Sequence, residues 1–165
     1  PYPFGSVDYL FKDRDVLEIG PGRGRQYERL RYVVQSYSIC DISPAALSEP
    51  VFCDIEARYL LYDYLTDFAR LFDIVHFWYV LHHIKTVEMD DFFSFVARHL
   101  RDRGLALFNS PQAGNPEKWY TGDGLGTTRM DEGMIVRACS LHLNVIGAYH
   151  QDTMSNGDLF IVRKR

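Results

Sequence analysis

The sequence lacks several features by which whole classes of protein are recognised. It has no apolar run of membrane-spanning length, and its first residues lack the charged and apolar regions of a signal peptide. Its three cysteines, Cys40, Cys53 and Cys139, show neither metal-ligand spacing nor the pattern of a disulfide framework. A formal net charge of -4 leaves no basic excess for duplex nucleic acid. We therefore expect a cytoplasmic protein that neither inserts into a membrane nor binds duplex nucleic acid.

No internal repeat, low-complexity tract or linker divides the chain. Its 165 residues suit one domain with a core on both sides of a sheet, so we predict a single domain over residues 1–165. The chain begins at Pro1 without a methionine, as a fragment or a processed chain would, and in that case an N-terminal element would be missing. Nothing in the sequence indicates an oligomeric state.

Short apolar runs alternate along the chain with longer segments, several of which have helical spacing. The runs that we interpret as strands are DVLEI, SYSIC, VFC, DIVHFWY and GLALFN. The apolar residues with helical spacing are Tyr27, Leu30 and Val34, then Leu60, Leu61, Tyr64, Leu65 and Phe68, and finally Met89, Phe92, Phe93, Val96 and Leu100. Strands that alternate with helices predict a parallel sheet covered by helices on both faces.

The end of the chain departs from this alternation. A helix is predicted near residues 130–142, followed by two strand-like runs, LNVIGAYHQ and LFIVRKR. Asn156-Gly157 lies between these runs and is a strong signal for a hairpin turn. An antiparallel hairpin is therefore expected to complete an otherwise parallel sheet.

The stretch DVLEIGPGRGRQYERL places Gly20, Gly22 and Gly24 at every second position between a strand and a helix. Such a turn directs backbone N–H groups toward an anion. It departs from the dinucleotide pattern G-x-G-x-x-G, because Arg25 stands where the third glycine is required. Glu18 would repel a pyrophosphate and suits a ligand with an ammonium group. S-adenosylmethionine, which combines an ammonium, a carboxylate and a nucleoside, fits both features.

The segment LEIGPGRG resembles the first motif of the class I S-adenosylmethionine-dependent methyltransferases, and the resemblance extends by motif from Asp15 to Pro111. It implies an α/β fold: a doubly wound, mostly parallel sheet of seven strands, the last antiparallel, with helices on both faces. It also implies that the loop holds the methionine part of the cofactor. The residues assigned to that contact are Glu18, Ile19, Gly20, Pro21, Gly22 and Gly24. A glycine turn without a ligand is the alternative.

Acidic residues further along complete the cofactor site that the resemblance implies. Asp41 in SICDIS is assigned to the ribose hydroxyls, since a carboxylate accepts from both hydroxyls of a diol, and Ile42 to the adenine face. Asp54 in FCDIE is interpreted as following the third strand and is assigned to the exocyclic amine of adenine, with Ile55 at the ring. The alternative for Asp41 is a helix cap or a solvent-facing position at the strand end, and the alternative for Asp54 is a cap of the helix that follows.

The stretch FDIVHFWYVLHHI resembles the family's fourth motif, whose strand ends beside the transferable methyl group. Phe77 is assigned to the cofactor on that basis, with a pure core role as the alternative. His82 and His83 are candidates for a general base, because imidazole titrates near neutral pH, or they shape the cofactor pocket. The acidic ligands of metal-dependent, catechol-type members are missing at VLHHI, so no metal is predicted.

The segment NSPQAGNPEKWYTGDGLGTTRM is long for a loop, and loops of that length are usually functional or mobile. Trp119 and Tyr120 within it are candidates for contacting the acceptor. Its first residue, Asn109, imitates a motif of enzymes that methylate amino groups of nucleic acids, but it follows the fifth strand and the aromatic residue is missing.

We predict methyl transfer from S-adenosylmethionine to a small-molecule or glycan-type acceptor. Two other classes stay open at this stage. One is a methyltransferase-like binding module that has lost catalysis. The other is a nicotinamide-dependent oxidoreductase, against which Glu18 and the missing third glycine both weigh.

Overall fold

Seven strands and four α-helices make up the computed structural model, which describes residues 8–55, 57–110, 132–149 and 158–165. The strands are β1 (Asp15–Ile19), β2 (Ser36–Asp41), β3 (Arg58–Leu60), β4 (Phe72–Phe77), β5 (Leu100–Ser110), β6 (Leu143–Tyr149) and β7 (Asp158–Lys164). The α-helices are α1 (Arg25–Leu30), α2 (Pro44–Leu47), α3 (Met89–His99) and α4 (Glu132–Cys139). Short 3-10 turns occur at Asp8–Phe11, Pro50–Phe52, Leu81–His83 and Thr86–Glu88.

The strands form one sheet in the order β3-β2-β1-β4-β5-β7-β6. The first five run parallel to one another, whereas β7 is antiparallel to both of its neighbours, β5 and β6. The predicted fold class, a doubly wound and mostly parallel α/β sheet with an antiparallel last strand, is confirmed. The Asn156-Gly157 turn lies outside the described residues. Because the strand order reverses between β1 and β4, a ligand is expected in the crevice at their carboxyl ends.

Both faces of the sheet are covered by apolar side chains, which explains why β1 is apolar along most of its length. Leu17 on one face belongs to a large cluster that includes Phe92 of α3. Val16 on the other face belongs to a smaller cluster with Leu30 of α1 and Phe11. The sheet is thus the middle layer of the fold. Because both of its faces are covered, a ligand is expected at the strand ends.

The third strand does not lie where the sequence predicted it. The run VFC forms part of the turn Pro50–Phe52, in which proline occupies a first-turn position that needs no N–H donor. The strand is Arg58–Leu60 instead, and it is only three residues long. Arg58 ties the two regions together, because its guanidinium donates to the backbone carbonyls of Leu47, Phe52 and Ile55.

The helix predicted from Leu60 to Phe68 is wrong as well. Leu60 ends β3, and the structure has no helix between it and β4. The carboxylate of Asp63 accepts hydrogen bonds from the backbone N–H groups of Leu65 and Thr66, both at 2.9 Å. Local bonds of this kind compete with the helical pattern, so a turn replaces the predicted helix.

An ion-pair network joins four strands at their amino ends. Asp15 accepts from the Ser36 hydroxyl at 2.6 Å and pairs with Arg101 at 2.7 Å. Arg101 also reaches Asp73, at 2.9 Å, and Asp73 accepts from the backbone N–H of Asp15 at the same distance. Arg70 donates to the Ser36 hydroxyl at 2.8 Å. The network fixes the alignment of β1, β2, β4 and β5 at the edge opposite the expected ligand crevice.

Candidate functional site

The three glycines of the loop after β1 all adopt the left-handed conformation, which side chains disfavour. A Cβ atom at Gly20 would lie 2.7 Å from Val80, and one at Gly24 would lie 2.5 Å from Val51. A Cβ atom at Gly22 would meet no atom within 4 Å. Gly20 and Gly24 therefore serve close packing, whereas Gly22 borders open space in which a ligand would fit.

Ile19 and Pro21, two further predicted contacts, have buried side chains. Ile19 belongs to the main core cluster. Its side chain therefore supports the loop from below, and only backbone groups at these two positions are available to a ligand. The carbonyl of Pro21 is engaged, since it accepts from the N–H of Gly24 at 2.9 Å.

Glu18 is buried beside the loop, one residue before the end of β1. Its Oε2 atom accepts a hydrogen bond from the Tyr37 hydroxyl at 2.7 Å. Burial raises the pKa of Glu18 to about 8, and the Tyr37 bond opposes that rise. In the described part of the chain, no basic side chain lies close enough to shift this pKa. A buried carboxylate without a cation is costly, so the position favours a ligand that brings one.

Asp41 and Ile42 lie together at the carboxyl end of β2, as predicted. The Oδ1 atom of Asp41 accepts from the backbone N–H of Ser43 at 2.8 Å, while burial raises the pKa of its carboxyl. The helix-capping role that was the alternative for Asp41 belongs to Ser43, whose hydroxyl accepts from the N–H of Ala46 at 3.3 Å. Ile42 is 72% exposed, so its side chain is accessible to a ligand.

Asp54 and Ile55 do not follow the third strand, because β3 begins after them, and the positional reason for assigning them to adenine is therefore wrong. The carboxylate of Asp54 accepts from the Tyr27 hydroxyl at 2.5 Å and pairs with Arg31 at 3.4 Å. The Tyr27 bond is also the main reason that the pKa of Asp54 is lowered. Ile55 is buried in the small cluster that contains Phe52.

The acidic residue that does follow β3 is Asp63, which was not predicted from the sequence. Its side chain is exposed and holds the turn after the strand through the N–H groups of Leu65 and Thr66. Tyr62 beside it is 83% exposed. The signal that could have found Asp63 was the run RYLLYD, a better strand candidate than VFC because no proline precedes it.

The side chain of Phe77 has no exposed surface, so its predicted contact with the cofactor is not available in this arrangement. Its ring stacks on that of Phe108, with centroids 4.7 Å apart, and meets Phe92 edge to face at 5.0 Å. The face of β4 that carries Phe77 is the one covered by α3, which explains the core role.

The turn after β4 contains a strained residue, Tyr79, whose φ of 57° is rare for a bulky side chain. Its backbone N–H donates to Oδ1 of Asn109, at the end of β5, at 2.7 Å. The side chain of Tyr79 is 41% exposed and the Asn109 side chain is buried. Asn109 therefore supports the neighbouring strand end, a role that its resemblance to an amino-methylating motif did not predict.

His82 and His83 lie in the turn Leu81–His83, with ring centroids 3.8 Å apart. Burial lowers the pKa of His82 to about 4, and the proximity of His83 adds to that effect. His82 is therefore neutral near pH 7, the state that a proton acceptor needs. His83 is exposed, so the two neighbours offer different environments to a ligand.

Trp119 and Tyr120, the predicted acceptor contacts, lie outside the described residues. Within the ranges that the structure does cover, no group of three or more His, Cys, Asp or Glu side chains is arranged to hold a metal ion. None of the described helices combines the length and apolar character needed to cross a membrane.

Three solved structures illustrate what the fold is similar to. The N-methyltransferase NodS from Bradyrhizobium japonicum, in complex with S-adenosylhomocysteine, has a TM-score of 0.73 and 18% identity, over 96% of this chain and 83% of that one. CalS10, an amino pentose methyltransferase from Micromonospora echinaspora with S-adenosylmethionine bound, has a TM-score of 0.72 and 14% identity, over 91% of this chain and 83% of that one. The 1,6-didemethyltoxoflavin-N1-methyltransferase from Burkholderia thailandensis has a TM-score of 0.76 and 16% identity, over 96% of this chain and 74% of that one.

No curated protein matches the sequence. A family model described as a methyltransferase domain, however, matches residues 5–129, from before β1 into the long segment after β5. That match includes the glycine loop, Glu18, Asp41 and the two histidines. Since it spans more than half of the 165 residues, the chain belongs to the methyltransferase domain family, and the S-adenosylmethionine-dependent class predicted from the glycine loop is confirmed.

Proposed function

We propose that this chain binds S-adenosylmethionine at the carboxyl ends of β1, β2 and β3 and transfers its methyl group to a small-molecule or glycan-type acceptor. The observation that carries the proposal is Glu18, a buried carboxylate beside the glycine loop with no basic partner among the described residues. The open space at Gly22 supports it, because a ligand there would lie against bare backbone. Together these features fit a cofactor with an ammonium group.

Each part of the cofactor has a candidate partner. Glu18 would attract the ammonium group, and the loop backbone at Gly22 would lie against the methionine chain. Asp41 would accept from the two ribose hydroxyls, and the exposed side chain of Ile42 would cover one face of adenine. Asp63, in place of Asp54, would accept from the exocyclic amine, because it is the acidic residue that follows β3.

S-adenosylmethionine, when bound, would supply a methyl group on a sulfonium, whose carbon an acceptor attacks in line while S-adenosylhomocysteine leaves. The chain's own contribution to such a reaction is largely to hold and orient the reactants. The strained turn at Tyr79 and the half-buried His82 lie at the end of β4, beside which the methyl group is expected. We assign His82 to the shape of this pocket, with its neutral imidazole also available to accept a proton.

The acceptor class is supported by the similar folds rather than by any group on this chain. CalS10 is described as an amino pentose methyltransferase, and the Burkholderia thailandensis enzyme was crystallised with 1,6-didemethyltoxoflavin. Both acceptors are small molecules, and one is a sugar. The net charge of -4 supports the same class, because it offers no general attraction for nucleic acid.

The proposal is tested by isothermal titration with S-adenosylhomocysteine and, in a separate experiment, with NADH. We expect S-adenosylhomocysteine to bind and NADH to give no heat. Binding of NADH alone would overturn the proposal in favour of an oxidoreductase. An inactive binding module would instead bind S-adenosylhomocysteine but transfer no methyl group from S-adenosylmethionine to any member of a panel of amine and hydroxyl acceptors that includes amino sugars.

A further inference from the structure

Two buried residues and one half-buried residue on adjacent strands form a hydrogen-bonded chain, which we call the Glu18 relay: Glu18 on β1, His76 on β4 and the half-buried Tyr37 on β2. The Tyr37 hydroxyl lies 2.7 Å from Glu18 Oε2 and 2.9 Å from His76 Nε2. We propose that Tyr37 and His76 are positioning residues that favour the ionised form of the Glu18 carboxylate and hold it toward the ammonium group of the cofactor. The inference rests on the proposed function.

The strand register brings the relay together. Glu18 is aligned with Ile39 on one side and with His76 on the other. Tyr37, two residues before Ile39, lies on the same face of the sheet because side chains alternate along a strand. Its hydroxyl can therefore reach over β1 toward both partners.

The direction of the hydrogen bonds follows from the single proton of the Tyr37 hydroxyl. That proton is donated to the Glu18 carboxylate, so the second bond must run from the Nε2–H group of His76 to the Tyr37 oxygen. His76 Nδ1 is then the unprotonated nitrogen, and it has no hydrogen-bond partner within the described residues. The neutral imidazole thus acts as a fixed donor that turns the hydroxyl toward Glu18.

Burial keeps three titratable groups around Glu18 neutral, namely His76, Cys40 and Tyr27. Burial lowers the pKa of His76 to about 3, and its ring meets Phe11 edge to face at 5.3 Å. On β2, Cys40 lies next to Ile39 but on the opposite face of the sheet, and burial keeps the pKa of its thiol well above the usual range. From α1, the Tyr27 ring lies 5.2 Å from that of Tyr37, and burial raises the pKa of Tyr27 to about 12. Tyr37 is therefore the group that opposes protonation of Glu18.

A purely structural role for these buried groups makes a different prediction from a positioning role. If the relay only filled the core, its loss would change stability and leave the pH dependence of cofactor affinity unaltered. If the relay favours the ionised form of Glu18, its loss makes the carboxyl harder to ionise. The affinity for the ammonium group would then fall at neutral pH, and a higher pH would be needed to restore it.

The experiment is isothermal titration of S-adenosylhomocysteine between pH 6 and pH 8.5. In the wild type, affinity should rise with pH by up to about tenfold per unit and begin to level off near pH 8, because only ionised Glu18 attracts the ammonium group and its pKa is about 8. Tyr37→Phe should weaken binding by about tenfold at pH 7, as expected for a lost hydrogen bond to a charged group, and its affinity should still rise steeply at pH 8. Glu18→Gln should bind weakly with little pH dependence, and adding Tyr37→Phe to it should change nothing further.

Matched variants separate the relay from general effects on the core. Tyr59→Phe also removes a hydroxyl from a ring packed beside the sheet, here stacked on Phe68, and should leave affinity unchanged. His76→Gln can still offer an amide N–H near the Nε2 position and should retain affinity within about threefold. His76→Leu cannot donate and should behave like Tyr37→Phe.

The possible results separate the inference from the function on which it rests. Wild-type protein that does not bind S-adenosylhomocysteine overturns the proposed function and the relay with it. Wild-type binding together with unchanged affinity and pH dependence in Tyr37→Phe overturns the relay alone. Should Tyr37→Phe fail to fold, the comparison of His76→Gln with His76→Leu decides, and equal affinities in that pair overturn the relay.

Discussion

The backbone N–H of Tyr79 is held by the side-chain carbonyl of Asn109 at 2.7 Å, which joins the turn after β4 to the end of β5. The bond stabilises a residue with positive φ, a conformation that costs on the order of 1–3 kcal/mol. Since Asn109 is buried, it also determines how the two strand ends approach each other.

Removal of this bond should affect both stability and cofactor binding. Asn109→Ala should lower the free energy of unfolding by about 1–3 kcal/mol, because the Tyr79 N–H loses its acceptor. The affinity for S-adenosylhomocysteine should fall as the turn relaxes. Asn144→Ala, the same substitution at an exposed site on β6, is the matched control for urea denaturation and titration. Equal stability of wild type and Asn109→Ala would contradict the role assigned to the bond.

The two glycines Gly22 and Gly24 should respond differently to the same substitution. Gly22→Val should cost about 1–2 kcal/mol of stability, the strain of a side chain at positive φ, and should abolish cofactor binding. Gly24→Val meets the same strain and must also displace Val51 and Phe52, so it should be the less stable protein by about 1–3 kcal/mol. Thermal unfolding and titration measure the two effects separately. A folded Gly22→Val protein with wild-type affinity would remove the loop from the site.

Asp41→Ala should weaken S-adenosylhomocysteine binding by about tenfold to a few hundredfold, because a carboxylate that accepts from the ribose hydroxyls is lost. Asp63→Asn should also weaken it, by about tenfold on the same scale. Asp54→Asn is the control, because Asp54 precedes β3 and its carboxylate is engaged by Tyr27 and Arg31. A larger loss in Asp54→Asn than in Asp63→Asn would restore the assignment made from the sequence.

His82 is expected to shape the pocket rather than to carry the proton transfer. His82→Gln should therefore weaken cofactor binding or change little, and turnover at saturating cofactor should stay within about tenfold of the wild type. His83→Gln, at an exposed neighbour, is the control. If His82 were the base, the wild-type rate would rise with pH near 4 and stay flat from pH 6 to 8, because only neutral imidazole accepts a proton. A hundredfold loss of turnover at unchanged cofactor affinity would identify it as one.

The network around Asp15 should make stability sensitive to acid. The Ser36 hydroxyl and then Arg101 lower the pKa of Asp15, so its contribution is present above about pH 4, the unfolded value, and is lost as pH falls through the folded value. Arg101→Ala should lower the free energy of unfolding by about 1 kcal/mol at pH 7. Arg101→Ala should also reduce the loss of unfolding free energy that the wild type shows between pH 4 and pH 2. Arg137→Ala, at an exposed site on α4, is the control for urea unfolding at each pH.

The sequence predicted the elements whose pattern is strong and local. The strand DVLEI and the helix around Phe92 were correct because one is buried on both faces and the other has a clear apolar side. The third strand was missed because three residues at the edge of a sheet carry little pattern, and the error moved the adenine contact to Asp54. Phe77 was misassigned because a strand's sequence does not say which face its last residue occupies.

The site depends on register, which the sequence of one strand does not contain. Glu18 was identified from its position before the glycines. Tyr37, on β2, is 19 positions from Glu18, which its hydroxyl contacts. His76, on β4, is 39 positions from Tyr37, which its ring nitrogen contacts. No local spacing could have paired them. The same holds for Tyr79 and Asn109, which are 30 positions apart.

The ion-pair network and the residues of the proposed site lie at opposite ends of the same strands. A substitution that strengthens the contacts of Asp15 or Arg101 acts far from the carboxyl ends, where Gly22, Asp41 and Tyr79 are found. Distant sites usually contribute additively to stability. Stabilising substitutions at the amino ends can therefore offset the destabilisation caused by substitutions at the carboxyl ends. We expect the site to change its acceptor in this way during evolution while the fold stays the same.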